Sequence, residues 1–452
     1  MNEVAIRQAL LVLFTLTWFI PFVGTTYGER VSGIQQIQTL YENGEYQKAL
    51  EEVSKLDTEQ ASVPDARRLK IRTLLKLDHP KDALTEYDKL KQRLRQDDRQ
   101  ILHEIALGFV VVLTKDMREQ MRGAAYTALK EWQNPASIPF LEDGLGDDSG
   151  LVRALAAEGL AKLDAGRRSV KFRGALDDPA VLVKEAVLKG FSKSSDTSVI
   201  PLVEPALKDP EVRVRVAAAE ALCHLKPPKG CDMLLQSARA PNPDERTSAI
   251  RALVERDGAQ VLSVLLEASE HQQPSVRRAA ATGLGHSPSA EAVAVLTRLL
   301  KDPLPPVRIA AAVSLGQIND VDARSSLTKA LDDHDSAVRA FVIGALLARG
   351  VRYEIVAASV QSLVNMKEPA VRAATARALG HAEESNRAPA RSALTVLIQD
   401  TVPRVRIAAI KSMAKLEGAE AIPLLAQSLR DEDDAVRATA GGTLLSVMAS
   451  DQ

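Results

Sequence analysis

Aromatic residues make up only 4% of this 452-residue chain, cysteine occurs twice, and the formal net charge is −1. With 46% hydrophobic residues, the aromatic deficit leaves an Ala/Leu/Val-rich balance suited to closely packed helices. A charge near zero supplies no global field toward nucleic acid or an acidic membrane surface. Two thiols eight residues apart, Cys223 and Cys231, make no metal site without further ligands. They straddle the turn LKPPKG and leave two readings open: a disulfide in an exported chain, or two small buried apolar side chains. No Gly-rich phosphate loop, serine nucleophile elbow or HExxH run is present.

What the chain has in abundance is one short signature, repeated eleven times: an aliphatic residue, Arg, then small residues leading to an apolar pair. It begins at Met121, Val152, Val183, Val214, Glu245, Val276, Val307, Val338, Val371, Val405 and Val436, in steps of 31 seven times running and then 33, 34 and 31. A fixed period of this size marks stacked supersecondary units, none able to bury its apolar face alone. The fold class expected is therefore all-α, an α-solenoid superhelix of about eleven helix pairs. In each pair the first helix is amphipathic, as in residues 198–209 and 419–431, and the second runs through the signature.

Asp116, Asp147, Asp178, Asp209, Asp302, Asp333, Asp400 and Asp431 lie five residues before their signature start, and three of them precede Pro. This pattern predicts an Asp N-cap with Pro at the first helical position. The cation after each signature start is Arg in ten copies, among them Arg153, Arg215, Arg308, Arg339, Arg406 and Arg437, with Lys184 in the other. It is read as pairing with those acids in its own or a neighbouring unit, a structural ladder rather than a phosphate grip.

Residues 98–452 thus form one array. Segments such as 209–225 and 301–318 resemble HEAT repeats of the short bacterial type, similar to those of phycobiliprotein lyases. That resemblance implies a right-handed superhelix whose second helices line the concave side. Residues 29–97 carry a different repeat, in which Leu40, Gly44, Ala49 and Leu50 match Leu74, Asp78, Ala83 and Leu84 at a spacing of 34. It resembles two tetratricopeptide-like helix pairs. Residues 1–28 hold the apolar run 9–24, read as a secretory signal cleaved near Thr26 or Gly28, or alternatively as a membrane anchor.

The deoxyhypusine hydroxylases are HEAT-repeat enzymes that bind di-iron through several His-Glu pairs, whereas here the one such dipeptide is His103-Glu104. His224, His286 and His381 share one repeat position but stand two and three units apart, beyond coordination reach. The expectation is no enzyme, no metal and no cofactor. The reading is a non-catalytic scaffold of the bacterial cell envelope, exported to the periplasm or anchored in the inner membrane. It would bind a protein or peptide but no nucleic acid, and would touch the membrane only through an uncleaved N-terminal segment. Two alternatives stand beside it: an accessory factor for cofactor or chromophore attachment, and a membrane-tethered structural spacer. Positions two and six beyond each signature start are expected to face the groove, made locally apolar by Ile309, Val313 and Phe341. The period stretches at residues 350–356 and 381–392, which makes Tyr353 and Arg387 further candidates for partner contact. Aromatics concentrated early in the chain, such as Tyr41, Tyr46, Tyr87, Tyr126 and Trp132, mark a second candidate docking region.

Overall fold

A computed structural model describes residues 24–56, 63–254 and 258–450. The apolar run and its cleavage or anchoring fall almost wholly outside the described residues. Among those described, no helix is long and apolar enough to cross a membrane, and no strand occurs. The chain divides into two compact units, Met1–Asp98 and Arg99–Gln452.

The first unit contains two helical hairpins, α1 (Gly24–Glu42) with α2 (Tyr46–Lys55) and α3 (Pro64–Lys76) with α4 (Pro80–Leu94). Both tight turns use left-handed backbone, at Gly44 (φ 78°) and Asp78 (φ 62°). Ile37, Ala49 and Val53 form one core, and Ala83, Leu84, Tyr87 and Leu90 bury the inner face of α4. The early aromatics turn out to be mainly packing residues. Tyr87, Tyr126 and Trp132 are buried, and Tyr41 meets Tyr46 edge-on at 5.3 Å. Tyr41 and Tyr46 are half-buried.

The second unit is an all-α solenoid. It begins with α5 (Arg99–Val111), after which each signature lies on one inner helix. These are α6 (Glu119–Trp132), α7 (Gly150–Ala161), α8 (Val181–Ser192), α9 (Val212–Leu225), α10 (Pro243–Leu253) and α11 (Pro274–Leu284). They continue as α12 (Pro305–Gln317), α13 (Ser336–Leu347), α14 (Pro369–Leu379), α15 (Pro403–Glu417) and α16 (Asp434–Ser450). The first helices of the pairs, such as Ala259–Ala268 and Arg387–Ile398, pack on them from one side.

Successive inner helices pack intimately, whereas successive first helices hardly touch. Small residues cause the difference. In α12 a Cβ on Gly316 would fall 2.6 Å from Ala345 Cβ and 2.9 Å from Ala345 Cα on the next helix. Close spacing on one rim and wide spacing on the other bends the stack, and here the bend runs to closure. The last helix, α16, packs on α6 as intimately as interior neighbours pack on each other, and it also covers α5. A Cβ on Gly442 would lie 2.5 Å from Ala128 Cβ in α6. Arg118 pairs with Asp434 at 2.8 Å, Lys411 with Glu131 at 2.8 Å, and Ser446 Oγ donates to the Glu131 carbonyl at 3.2 Å. The array is therefore a closed ring, a feature that the open superhelix implied by the family resemblance does not include. Eleven helices at roughly 9 Å spacing describe a circle about 30 Å across. Subtracting a helix diameter leaves a lumen on the order of 20 Å.

One local expectation is corrected. The Asp five residues before each signature start is not the N-cap. The cap lies two residues later, at Ser149, Asn242 or Asp335, whose side chains accept helix N–H groups. The upstream Asp instead accepts the N–H two residues on, as Asp178 does from Ala180 (2.7 Å) and Asp302 from Leu304 (3.0 Å). Pro179, Pro210 and Pro303 therefore sit in the turn, and the first-turn prolines are others, including Pro243, Pro274, Pro305, Pro369 and Pro403. Both oxygens of the upstream Asp are engaged by the cation of the preceding unit, as Asp178 is by Arg153.

Closure through small residues has a measurable consequence. Gly442→Val is expected to lower the melting temperature and destabilise by about 1–3 kcal/mol, as overpacking does. Gly174→Ala, where a Cβ meets nothing within 4 Å, is expected to leave stability unchanged or slightly raised. Thermal unfolding followed by circular dichroism compares the two.

Candidate partner-binding lumen

Each signature cation stitches two turns together. Arg153 Nη1 donates to the carbonyls of Asp147 (2.8 Å) and Asp148 (3.1 Å) in its own unit. Its Nε and Nη2 grip Asp178 of the next unit at 2.7 and 3.0 Å. The same bidentate reach joins Arg122 to Asp147, Arg277 to Asp302, Arg308 to Asp333, Arg372 to Asp400 and Arg406 to Asp431, with Lys184 meeting Asp209 through one bond. Arg308 and Asp333 retain only 4% and 8% side-chain exposure. Burial, the strongest influence on Asp302 and Asp333, opposes their ionisation. The Arg hydrogen bonds, one backbone N–H and the neighbouring cations outweigh it, so both carboxyls stay below their ordinary range. For Asp400 the Arg372 hydrogen bonds dominate outright.

The ladder lapses in one sector and at two further points. Arg215 reaches only the carbonyls of Asp209 and Pro210, because Ala240 stands where the next Asp would be. Among the described residues Arg246 likewise bonds only the carbonyls of Ala240 and Arg239. Its next-unit counterpart is His271, which burial and the charges of Arg246 and Arg277 push below the usual imidazole range. Arg339 bonds the Asp333 carbonyl and Ser336 Oγ. At the seam Arg437 turns to Asp434 in its own helix. Asp116 is gripped by Arg118, which lowers its carboxyl to about 2.

The same sector, α9 to α11, holds the cysteine pair and Glu245. Cys223 and Cys231 are joined as a disulfide with their Cα atoms 4.4 Å apart. Glu245 accepts a hydrogen bond from Ser237 Oγ at 2.9 Å, so the departure from an aliphatic starter ties α10 to the preceding helix.

The structure does not bring the partner-binding candidates together. Val313 is 39% exposed on the inner rim, beside half-buried Ile309 and Phe341. Tyr353 and Arg387 instead begin first helices on the other side of the array. The two stretched loops that contain them are not free binding loops. Buried Asn386 donates to the Val351 carbonyl (2.8 Å) and accepts from the Tyr353 N–H (2.9 Å), locking one insertion to the other. Arg387 pairs locally with Glu384. Of the groove positions, most at signature position six are at least partly exposed, but Gly344 and Gly442 are buried in helix contacts. His381 lies 2.9 Å from Lys415 Nζ and is held low by burial and that charge. Among the described residues no group of three or more metal-ligating side chains occurs.

Position one before the signature start was not among the expected groove positions. It puts Leu151 (51% exposed), Leu182 (40% exposed) and exposed Arg213 on the lumen side. Leu151 and Leu155 share a concave surface with Gly123, Thr127, Ile407 and Lys411, across four consecutive inner helices that include the seam. The signal for this column was present in the period. It is hidden because leucine beside the signature reads as core.

The period, the helix pairs and the small-residue rim together define a HEAT-type solenoid. The HEAT repeat model matches residues 106–192, 171–254, 262–347 and 356–444, and the chain belongs to the HEAT-repeat family. No curated protein matches it. Among solved structures it is similar to YibA of Escherichia coli (20% identity, 57% of this chain and 94% of that one, TM-score 0.35). Human deoxyhypusine hydroxylase aligns at 19% identity over 62% and 96% (TM-score 0.27), and a Kap121p mutant at 14% over 92% and 56% (TM-score 0.36).

The ladder sets an acid limit on stability. A carboxyl whose folded pKa is depressed contributes stability above its unfolded value, near 3.9, and loses it as pH falls through the folded pKa. Melting temperature is therefore expected to fall from about pH 5 downward, with a shallower fall in Asp302→Asn and Asp333→Asn. Arg308→Met, which strands Asp333 without its partner, is expected to cost about 3–5 kcal/mol. Lys48→Met, which removes an exposed pair, is expected to leave the transition unmoved.

Proposed function

We propose that the protein is a non-catalytic scaffold of the bacterial cell envelope, which holds a protein or peptide partner in the lumen of its HEAT ring. HEAT solenoids are commonly protein-interaction scaffolds. The observation that carries the reading is the lumen wall itself. Its exposed Leu151, Leu182 and Val313 lie on helices whose opposite faces form the core, so nothing in their own unit explains their exposure. A bore on the order of 20 Å admits an extended chain or a single helix, about 10 Å across. The apolar run at residues 9–24 and the Cys223–Cys231 disulfide both suit an oxidising, exported setting. The helical hairpins within residues 29–97 are read as tetratricopeptide-like repeats.

Photo-crosslinking in cells tests this, with a crosslinking side chain at Val313, at Leu151, or at Val396, which is exposed on a first helix. A defined protein adduct is expected at Val313 and Leu151 and not at Val396. Adducts at Val396 alone, or at no position, would sink the lumen reading. Mass spectrometry of the mature chain is expected to find an N-terminus near residues 26–28 in the periplasmic fraction. A chain beginning at Met1 would favour the anchored form instead.

A further inference from the structure

Beside the lapse of the ladder, one stretch of the lumen wall gathers more cations than carboxylates. A cavity of about 380 Å³ opens there between α8, α9, α10 and α11. Lys189, Lys193, Arg213 and Arg251 line it with four cations against the two carboxylates of Glu185 and Glu220. Glu185 is already committed, to Lys189 at 2.7 Å and to Arg213 at 2.6 Å, the latter contact lacking hydrogen-bond geometry. Glu220 accepts from Ser192 Oγ at 3.5 Å. Among the described residues no carboxylate lies within ion-pair reach of Arg251, or of Arg278 beside it. Burial, then the charges of Arg278 and Arg213, push the Arg251 guanidinium below its ordinary value, with Glu185 only partly opposing them. A guanidinium stays protonated regardless, so Arg251 and Arg278 are held as like charges side by side.

We propose that this cavity is the carboxylate-binding subsite of the lumen, taking an acidic segment of a partner polypeptide, with the exposed Leu151 and Leu182 on the neighbouring helices receiving the partner's aliphatic side chains. The inference rests on the protein-binding reading of the lumen and names the chemistry of that partner. Arginine forks match carboxylates bidentately, and a cavity of this size accepts one or two side chains. Polypeptide is favoured over nucleic acid by two features. Glu185 and Glu220 interrupt the basic surface, so no continuous phosphate track exists. None of the cavity's residues is aromatic, so there is no platform for stacking bases.

The test titrates the full-length protein with a fluorescein-labelled peptide of sequence Leu-Glu-Glu-Leu-Glu between Gly-Ser flanks, read by fluorescence anisotropy. The matched Leu-Gln-Gln-Leu-Gln peptide and a twelve-nucleotide oligothymidylate serve as controls. The acidic peptide is expected to bind at least tenfold more tightly than its glutamine counterpart, and more weakly as salt rises. Arg251→Gln with Arg278→Gln is expected to reduce that binding at least tenfold with an unchanged melting curve, and Arg251→Lys with Arg278→Lys to reduce it less, since the charge remains without the bidentate fork. Failure of the acidic peptide to bind, equal binding of the glutamine peptide, or undiminished binding by the Gln variant overturns the assignment. Tighter binding of the oligothymidylate, lost in the same variant, would reassign the cavity to nucleic-acid phosphates. Should the Gln variant still give the Val313 adduct in cells, the scaffold reading stands and the acidic subsite alone falls, provided the peptide titration also shows no difference. Absence of any adduct removes the scaffold reading and leaves the subsite to be decided by the titration.

Discussion

The approach of glycine and alanine across successive inner helices is the constraint from which the second unit follows. Where Gly316 meets Ala345, or Gly442 meets Ala128, there is no room for a single added methyl. The inner rim is therefore held at the short end of helix spacing while the first helices stand apart, and a stack with unequal rims must curve. Eleven increments of that curve bring α16 onto α5 and α6. Closure matters energetically as well as geometrically. An open solenoid exposes one apolar helix face at each end and needs capping units, whereas here each terminal face buries the other.

The Arg–Asp ladder is the polar counterpart of that packing. It fixes the turns, satisfies their carbonyls and registers each unit against the next. It adds specificity more than it adds strength, because a buried ion pair offsets much of its own desolvation cost. Between α9 and α11 its acids are missing, and among the described residues Arg215 and Arg246 bond only backbone carbonyls of their own turns. On the turn side, the disulfide and the Ser237–Glu245 hydrogen bond supply other restraints.

The repeat, the all-α class and the pairing of Arg with Asp were legible because each depends on a short-range pattern copied many times. Closure was not legible. It depends on the sum of many small rotations, and the departures at the seam, such as Gly441, where a Cβ would fall 2.7 Å from the Ala106 carbonyl of α5, read as further small residues. The Asp pattern misled about capping for a related reason. A capping acid and an acid two residues upstream differ only in where their second oxygen goes, and that is decided by Arg153 or Arg308 one unit away. The lumen surface was half visible. Val313, Arg251 and Arg278 all fall in the two columns expected to face the groove, but the approach of the two arginines, and the exposure of Leu151 and Leu182 outside those columns, depend on which neighbours the ring places beside them. Tyr353 and Arg387 drew attention through the stretched period, yet Asn386 turns both insertions into structure.

Electron-electron distance measurement across the seam tests the central claim most directly, with spin labels at Met117 and Glu432, both strongly exposed and each close in sequence to the Arg118–Asp434 pair. A closed ring gives a single short distance, on the order of 20 Å. An open solenoid of ten steps, each about 9 Å, would place the labels beyond roughly 60 Å or spread them over a broad range, and that result would contradict the ring.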